Sequence, residues 1–263
     1  MQIKKFHKYQ MRLFEINYPT ASSDPRATDI EFEQYEHTWQ KIQTLCSDAL
    51  ASYVQNNIGI WKGFDRMVCN DVIFTDPTAS ARKSKNTSNY YTLLLDNLPL
   101  WQAYPKRSRS LICSSSENVA QKYSMFSTPY LILPFNGAKI GVCPKSDIWA
   151  SFKHWRYLPE INDTLARLHI SEQSYAAMIE DIYNHSDSLA MSLNIPALAT
   201  AATTRDIINI FNDVMDPFSN NFELITTSDL SGLDDSRECW TSSSAYMIKR
   251  NSKFMLKYLE GLF

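Results

Sequence analysis

Helix-like and strand-like patterns occupy separate stretches of this 263-residue chain. Helical patterns fill residues 29–56 and, over a longer stretch, about 146–217, whereas most strand patterns lie between 59 and 142 or beyond 222. A parallel sheet of βαβ units needs strands and helices in regular alternation, and this sequence lacks that alternation. The order of the patterns therefore predicts an α+β fold. The chain is long enough to bury an extensive core.

A loop and a helix start mark the beginning of the first helical stretch. Residues 18–29 are rich in Pro, Ser and Asp, which is typical of a loop. Thr28 followed by Glu31 fits a capping box and predicts a helix from there to about residue 56. Apolar residues recur in it at spacings of three and four, namely Tyr35, Trp39, Ile42, Cys46, Ala49 and Tyr53. That stripe predicts a face packed against the core.

We place an N-terminal segment at residues 1–28 and a single domain at 29–263, with a helical part at about 150–217. Asn136-Gly137 between two strand patterns predicts a β-hairpin. Helices are also predicted at 90–98, at 117–123, and from Thr203 with Asp206 onward. Strands are predicted at 59–64, 71–75, 108–115, 129–135, 138–142, 222–225 and 238–248.

The composition excludes several common functional classes. Only six glycines are present, and no GxGxxG, GxxxxGK[ST] or GxSxG motif occurs, which argues against Rossmann, P-loop and nucleophile-elbow sites. The five cysteines include no CxxC pair and the five histidines show no paired spacing, so we expect a reducing compartment and no metal site. The net charge of −2 and the lack of an 18-residue apolar run predict a soluble, untargeted protein without a membrane partner.

Three short segments carry the residues of chemical interest. Residues 61–64 (WKGF) fall in a predicted strand, residues 114–116 (SSS) end one, and residues 236–238 (SRE) begin one. Each has a simpler interpretation, because serines often end strands and cap helices, and side chains such as Lys62 and Glu238 are often solvated. Their order along the chain and their strand contexts make the set noteworthy.

Taken together, the segments resemble the ADP-ribosyltransferase superfamily, in the branch marked by Arg, Ser-Thr-Ser and Glu-x-Glu. Lys62 lies at the position of the Arg, residues 114–116 at Ser-Thr-Ser, and Glu238 at the second, catalytic Glu. Residues 76–149 also look like proteins encoded by tailed bacteriophages. The resemblance spans about 60–248. It implies a pair of small packed β-sheets with N-terminal and inserted helices.

The resemblance also implies that NAD+ is the substrate and that no metal is needed. Glu238 would stabilise the positive charge that develops on the ribose as nicotinamide leaves, an effect that is strongest where water is excluded. The implied cofactor-binding residues are Lys62, Gly63, Ser114, Ser115 and Ser116. An aromatic ring to stack on the nicotinamide is expected, from its aromaticity alone, at Tyr90 or Tyr91.

Two positions depart from the pattern of that branch. Lys62 keeps the positive charge of Arg but lacks its planar fork for phosphate. Ser236, which we group with Glu238 as a catalytic candidate, replaces the first Glu. In arginine-modifying relatives that Glu engages the target guanidinium, and a hydroxyl carries no charge to do so. Residues 226–235 would form the target-recognition loop, whose Asp229, Asp234 and Asp235 favour a basic target surface.

Residues 82–109 combine positive charge with aromatic rings. The charged residues are Arg82, Lys83, Lys85, Lys106, Arg107 and Arg109, against Asp96 alone. The interleaved rings are Tyr90, Tyr91, Trp101 and Tyr104. One interpretation is a groove for the phosphates of NAD+ or for single-stranded nucleic acid. The other is a solvated face over a small core.

These observations lead to two main hypotheses. The first is a bacteriophage mono-ADP-ribosyltransferase that transfers ADP-ribose from NAD+ to a host protein or nucleic acid during host takeover. The second is a catalytically inactive relative that acts as a phage structural or host-takeover binding protein, which Lys62 and Ser236 motivate. A weaker third is an RNA-binding protein that uses residues 82–109. We expect the protein in the cytoplasm of the host bacterium, with carriage in the virion left open.

Overall fold

A computed structural model describes residues 27–64, 70–82, 88–124, 128–153, 158–233 and 236–262. Several sequence expectations therefore lie outside the described residues. They concern the N-terminal segment up to residue 26, Cys69, Lys83, Lys85, Asp234 and Asp235. None of the helices in the described ranges has both the length and the apolar run that crossing a membrane requires.

The described strands form one antiparallel sheet beside a set of helices, which confirms the α+β class. In chain order the strands are β1 (Ala27–Asp29), β2 (Ile60–Lys62), β3 (Val72–Thr75), β4 (Leu111–Ser114), β5 (Tyr130–Pro134), β6 (Lys139–Val142), β7 (Glu223–Thr226), β8 (Glu238–Thr241) and β9 (Ala245–Lys249). Each predicted strand overlaps one of these, the predicted 238–248 strand overlaps two, β8 and β9, and β1 was not predicted.

The strand order across the sheet is β1-β3-β9-β5-β2-β4-β8-β6-β7. Two separate small sheets were expected, and this was wrong for the described strands, because the pairing of β2 with β4 joins the two groups of strands. That junction has one registered pair, Trp61 opposite Ser114. By contrast, β5 and β9 are registered along all five of their residues. The sheet is thus continuous but narrow at its middle.

The expected hairpin at Asn136-Gly137 is wrong. The strands on either side of it do not pair, because β5 lies between β2 and β9, whereas β6 lies between β8 and β7. Gly137 adopts the left-handed φ of 70° that the turn requires. The polar groups of the turn bond elsewhere: Asn136 Nδ2 donates to the Thr44 carbonyl at 3.0 Å, and Gly137 N donates to Thr227 Oγ1 at 2.8 Å.

The first helical stretch is two helices, α1 (Tyr35–Leu45) and α2 (Ser47–Asn56), interrupted at Cys46. The capping box at Thr28 is wrong, because Thr28 lies in β1. Glu31 and Gln34 form a capping box instead, at the start of a 3₁₀ turn that leads into α1. The six residues of the predicted apolar stripe are all buried in the core.

The remaining helices are α3 (Tyr90–Asn97), α4 (Glu117–Lys122), α5 (Leu158–Arg167), α6 (Tyr175–Asn184), α7 (Ser186–Leu193), α8 (Pro196–Ala199), α9 (Thr204–Val214) and α10 (Lys253–Tyr258). They confirm the helical part and the short helices that were predicted. Thr203 caps α9 as expected, with its hydroxyl oxygen accepting from Asp206 N at 3.2 Å.

Two apolar clusters hold these layers together. The first joins α1, α2 and α10 to the sheet strands from β2 to β9. The second joins α3 to the helical part from α5 to α9 and reaches the sheet at Ile112 and Trp240. The narrow junction of β2 and β4 therefore lies where two cores meet, and the residues singled out in the sequence surround it.

Candidate functional site

The three sequence segments meet on three neighbouring strands. Trp61 of β2 is registered opposite Ser114 of β4, and Ser114 is registered opposite Glu238 of β8. Hydrogen bonds beyond the strand ends extend this row: Ser115 N donates to the Arg237 carbonyl at 2.8 Å, and Arg237 N donates to Ser115 Oγ at 2.8 Å. Residues far apart in the sequence are thus brought to one point of the sheet.

The Glu238 side chain points into the protein and is 1% exposed, so its interpretation as a solvated strand residue is wrong. Its Oε1 accepts from Arg107 Nη2 at 2.5 Å, and its Oε2 accepts from Ile148 N at 3.2 Å. The Cys143 thiol lies 4.0 Å from Oε1. Each carboxylate oxygen has two lone pairs, and because Arg107 and the Cys143 thiol both donate to Oε1, the remaining acceptor position is on Oε2.

Arg107 is the partner of Glu238 and is 4% exposed. Its guanidinium lies 5.5 Å from the ring centroid of Trp240 and 5.9 Å from that of Tyr91. Burial lowers the pKa of Arg107, but the Glu238 carboxylate, with smaller contributions from Tyr91 and Cys143, raises the pKa above its usual value. The guanidinium of Arg107 is therefore charged. The sequence analysis singled out Arg107 only as one of six charges in a basic stretch.

A short turn fixes the direction of Arg107. The residue begins a 3₁₀ turn, Arg107–Arg109, just before β4. Asp96 at the end of α3 caps this turn: its carboxylate accepts from Arg107 N at 2.6 Å and from Ser108 N at 3.2 Å. A carboxylate that binds two main-chain N–H groups holds such a turn rigidly.

Lys62 is also inside the protein, at 4% exposure, and its interpretation as a solvated lysine is wrong. Its Nζ donates to the Ile112 carbonyl at 2.9 Å and lies 5.6 Å from the ring centroid of Phe64. Gly63 follows where the chain passes α4 closely, and a Cβ there would collide with the Ala120 carbonyl oxygen. The glycine is therefore required by packing.

The three serines are buried and organise the chain between β4 and α4. Ser114 Oγ accepts from Ser116 N at 3.1 Å, and Ser115 Oγ binds Arg237 N. Ser116 is the N-cap residue of α4, although its hydroxyl makes no capping bond. The interpretation as a strand end followed by a helix cap position describes this backbone correctly. The same contacts hold Ser114 beside Glu238.

Of the other sequence candidates, only Tyr91 joins this cluster. Its ring lies near Arg107, and 5.0 Å between centroids from Trp149. Tyr90 instead donates its hydroxyl to the Ile170 carbonyl at 2.6 Å, in the helical part. Ser236 is exposed on a turn with a left-handed φ of 66°.

Tyr123 and Asp147 are half-buried neighbours of Glu238 that the sequence did not single out as site residues. The pKa of Tyr123 is raised to about 12 by burial, with the carboxylates of Asp147 and Glu238 adding to the effect. Asp147 Oδ1 accepts from Trp149 N at 2.8 Å and so caps the turn that presents Ile148 N to Glu238. These two residues form the more exposed rim of the cluster.

The basic stretch 82–109 does not display its rings. Trp101 donates its Nε1 to the Met215 carbonyl at 2.9 Å, and Tyr104 donates its hydroxyl to the Phe222 carbonyl at 3.3 Å. Tyr90 and Tyr91 are buried as well. Base stacking needs exposed ring faces. Base stacking on Tyr90, Tyr91 and Trp101 is therefore not supported by the structure, and the RNA-binding hypothesis for residues 82–109 stays a prediction.

Within the described residues, no group of three His, Cys, Asp or Glu side chains is placed to hold a metal ion. Comparison of the chain with protein-family models, with curated proteins and with solved structures found no match. The chemistry of the site is therefore argued from its own geometry.

Proposed function

We propose that this chain is a bacteriophage-type mono-ADP-ribosyltransferase that uses NAD+. The observation that carries the proposal is the row formed by Trp61, Ser114 and Glu238 on three adjacent strands. An ADP-ribosyltransferase-like site needs the three segments side by side. The segments lie far apart in the sequence, so only the fold can bring them to one place. The proposed acceptor is a host protein or nucleic acid.

In the proposed reaction, the bond between the ribose C1′ and the nicotinamide nitrogen breaks, and nicotinamide leaves with the electron pair. The acceptor atom forms the new bond to C1′ and loses its proton. Glu238 stabilises the positive charge on the ribose through the remaining acceptor position on its Oε2. The buried surroundings strengthen this interaction, because little water competes with it.

We assign supporting roles to the neighbours of Glu238. Ser114 lines the site next to the carboxylate, and the buried Tyr91 ring lies against the guanidinium of Arg107. Lys62 contributes positive charge near the site, with its ammonium group held by a strand carbonyl. Substrate approaches from the half-buried side formed by Tyr123 and Asp147.

A second function, a catalytically inactive binding protein, is favoured by one specific observation. Both oxygens of Glu238 already have partners and the side chain is 1% exposed. A carboxylate in that position can serve as a structural ion pair, without any substrate. This alternative predicts a stable complex with a phage or host partner and no reaction with NAD+.

The deciding experiment incubates the protein with labelled NAD+ and a bacterial lysate. Wild type should transfer label and release nicotinamide, and Glu238→Gln should lower the rate at least about 100-fold, since a missing electrostatic contact in the transition state costs that much. Glu160→Gln, at an exposed position of α5, is the matched control and should label normally.

Circular dichroism and a thermal melt must show that Glu238→Gln is folded. If wild type transfers no label and releases no nicotinamide, the transferase proposal fails. In that case, NAD+ should also leave the melting temperature unchanged, because a ligand that does not bind cannot stabilise the folded state.

A further inference from the structure

Arg107 is the side chain that most directly constrains Glu238, and nothing in the motif pattern assigns it a role. We infer that Arg107 is a positioning residue, which holds the carboxylate of Glu238 ionised and oriented for the reaction. This inference rests on the proposed function. Its basis is the bond of Nη2 to Oε1 and the burial of both side chains.

The hydrogen bonding of the Arg107 guanidinium is directed at Glu238. Its Nε and Nη1 are buried and have no hydrogen-bond partner among the described residues, so most of the donors of the guanidinium are unused. Leaving buried donors unsatisfied is unfavourable, and an arginine kept only for stability would be expected to fill them. The unfilled donors indicate that this arginine is retained for its effect on one carboxylate.

The groups around the Arg107 guanidinium restrict its orientation relative to Glu238. Asp96 caps the turn that carries Arg107, and the ring centroids of Trp240 and Tyr91 lie 5.5 and 5.9 Å from the guanidinium, within the range of cation–π attraction. Ile148 N holds the second oxygen of Glu238. The carboxylate thus has a fixed plane, with a free acceptor position on Oε2.

A stability measurement separates positioning from a purely structural ion pair. Replacing a buried ion pair by apolar side chains of similar size is often neutral or stabilising. We therefore expect Arg107→Met/Glu238→Met to have a denaturant midpoint at or above that of wild type. A much lower midpoint for the double variant would show that the pair exists for stability and would overturn the inference.

The second measurement is the pH dependence of label transfer. Arg107→Met removes the cation bonded to Glu238, and a buried carboxyl that loses its bonded cation takes up a proton more readily. The acid limb of the activity profile should therefore move to higher pH in Arg107→Met. A move of about two pH units lowers activity about 100-fold at pH values on that limb. Among the described residues, the charged and titratable groups near Glu238 are Arg107, Cys113, Cys143, Cys239 and Tyr123, with Asp147, Lys62 and Arg237 next to these.

Conservative and matched variants complete the test. Arg107→Lys keeps the positive charge. The acid limb of its pH–activity profile should therefore lie at the same pH as that of wild type, even if its maximal rate falls. Arg109→Met removes an exposed arginine of the same turn, which donates to the Thr78 carbonyl, and should leave rate and profile unchanged.

If wild type transfers label, and the acid limbs of the pH–activity profiles of wild type and Arg107→Met coincide, the inference fails while the proposed function stands. If wild type shows no labelling at any pH, the proposed function fails and the inference fails with it. The stability of the double variant then still decides whether the pair is structural.

Discussion

At the residue scale, Gly63 shows how one missing side chain sets a packing distance. A Cβ on Gly63 would lie against the Ala120 carbonyl oxygen and 2.9 Å from Ser124 Oγ. The carbonyl belongs to the backbone of α4, so it moves only if the helix moves. The close contact therefore ties the helix after the serines to the end of β2.

Gly63→Ala should destabilise the fold by about 1–3 kcal/mol, the usual cost of forcing an extra group into a packed interior. Gly232→Ala is the matched control, because a Cβ there would meet nothing within 4 Å. Its stability should change by less than about 0.5 kcal/mol. Urea unfolding curves of both variants measure the difference, and equal midpoints would refute the packing argument.

The cysteines give a second prediction at this scale. The described cysteines Cys46, Cys113, Cys143 and Cys239 are all free and buried. Burial raises the pKa of Cys46 and of Cys113 to about 12 and that of Cys143 and Cys239 well above the usual value. The reactive thiolate is therefore almost absent at pH 8.

In a Cys69→Ser background, a thiol-specific dye at pH 8 should detect no cysteine in the folded protein. The same dye in guanidinium chloride should detect all four described cysteines. Because each raised pKa keeps a thiol protonated, reactivity in the folded state should appear only as the pH rises toward those values. Rapid labelling of the folded protein at pH 8 would show that the cluster is open to solvent.

At the scale of elements, the connection between α3 and the Arg107–Arg109 turn links the helical part to the site. The link is the Asp96 carboxylate, which accepts main-chain hydrogen bonds from Arg107 and Ser108. Asp96→Ala removes the acceptor for two N–H groups and should lower stability by about 1–3 kcal/mol. It should also lower label transfer, because the turn that aims Arg107 is loosened.

Asp96→Asn keeps an oxygen acceptor and is the control for the charge of the cap. We expect it to recover part of both losses, as measured by urea unfolding and by the rate of label transfer. If Asp96→Ala labels as fast as wild type while its stability falls, the turn supports the fold without orienting Arg107.

At the scale of elements, the sequence predicts where strands and helices lie but not how the strands pair. Periodicity and capping patterns located the strands and helices, and Thr203 marked the start of α9 correctly, because these signals are local. The pairing of strands is not local. Asn136-Gly137 has the sequence of a hairpin, but its amide groups bond to Thr44 and Thr227, which no short-range pattern reveals.

The residues of the candidate site likewise divide into those that the sequence predicted and those that it did not. The order of motifs predicted Lys62, Ser114 and Glu238, and the strand register brings Trp61, Ser114 and Glu238 into one row. Arg107 was missed because its partner lies 131 positions away and its own neighbours look like a solvated basic stretch. Burial of that arginine depends on the second core, which forms only when α3 meets the helical part.

At the scale of the whole molecule, the two cores imply unequal local stability. All five residues of β5 are buried, whereas in α7 only Leu189 and Ala190 are. Segments with few buried contacts open without global unfolding. In native-state hydrogen exchange, the amides of α7 should therefore exchange well before those of β5, and the difference should shrink as denaturant approaches the unfolding midpoint. Equal protection of the two elements in the absence of denaturant would contradict this.

The order of the strands has a consequence for how the chain is made. β8 lies between β4 and β6, and β9 lies between β3 and β5, yet both follow every other strand in the chain. While a ribosome is still translating the segment after β7, the nascent protein has open gaps in its sheet, with unpaired strand edges exposed. Chaperone binding to these edges, or their aggregation, would then compete with completion of the fold until β8 and β9 emerge.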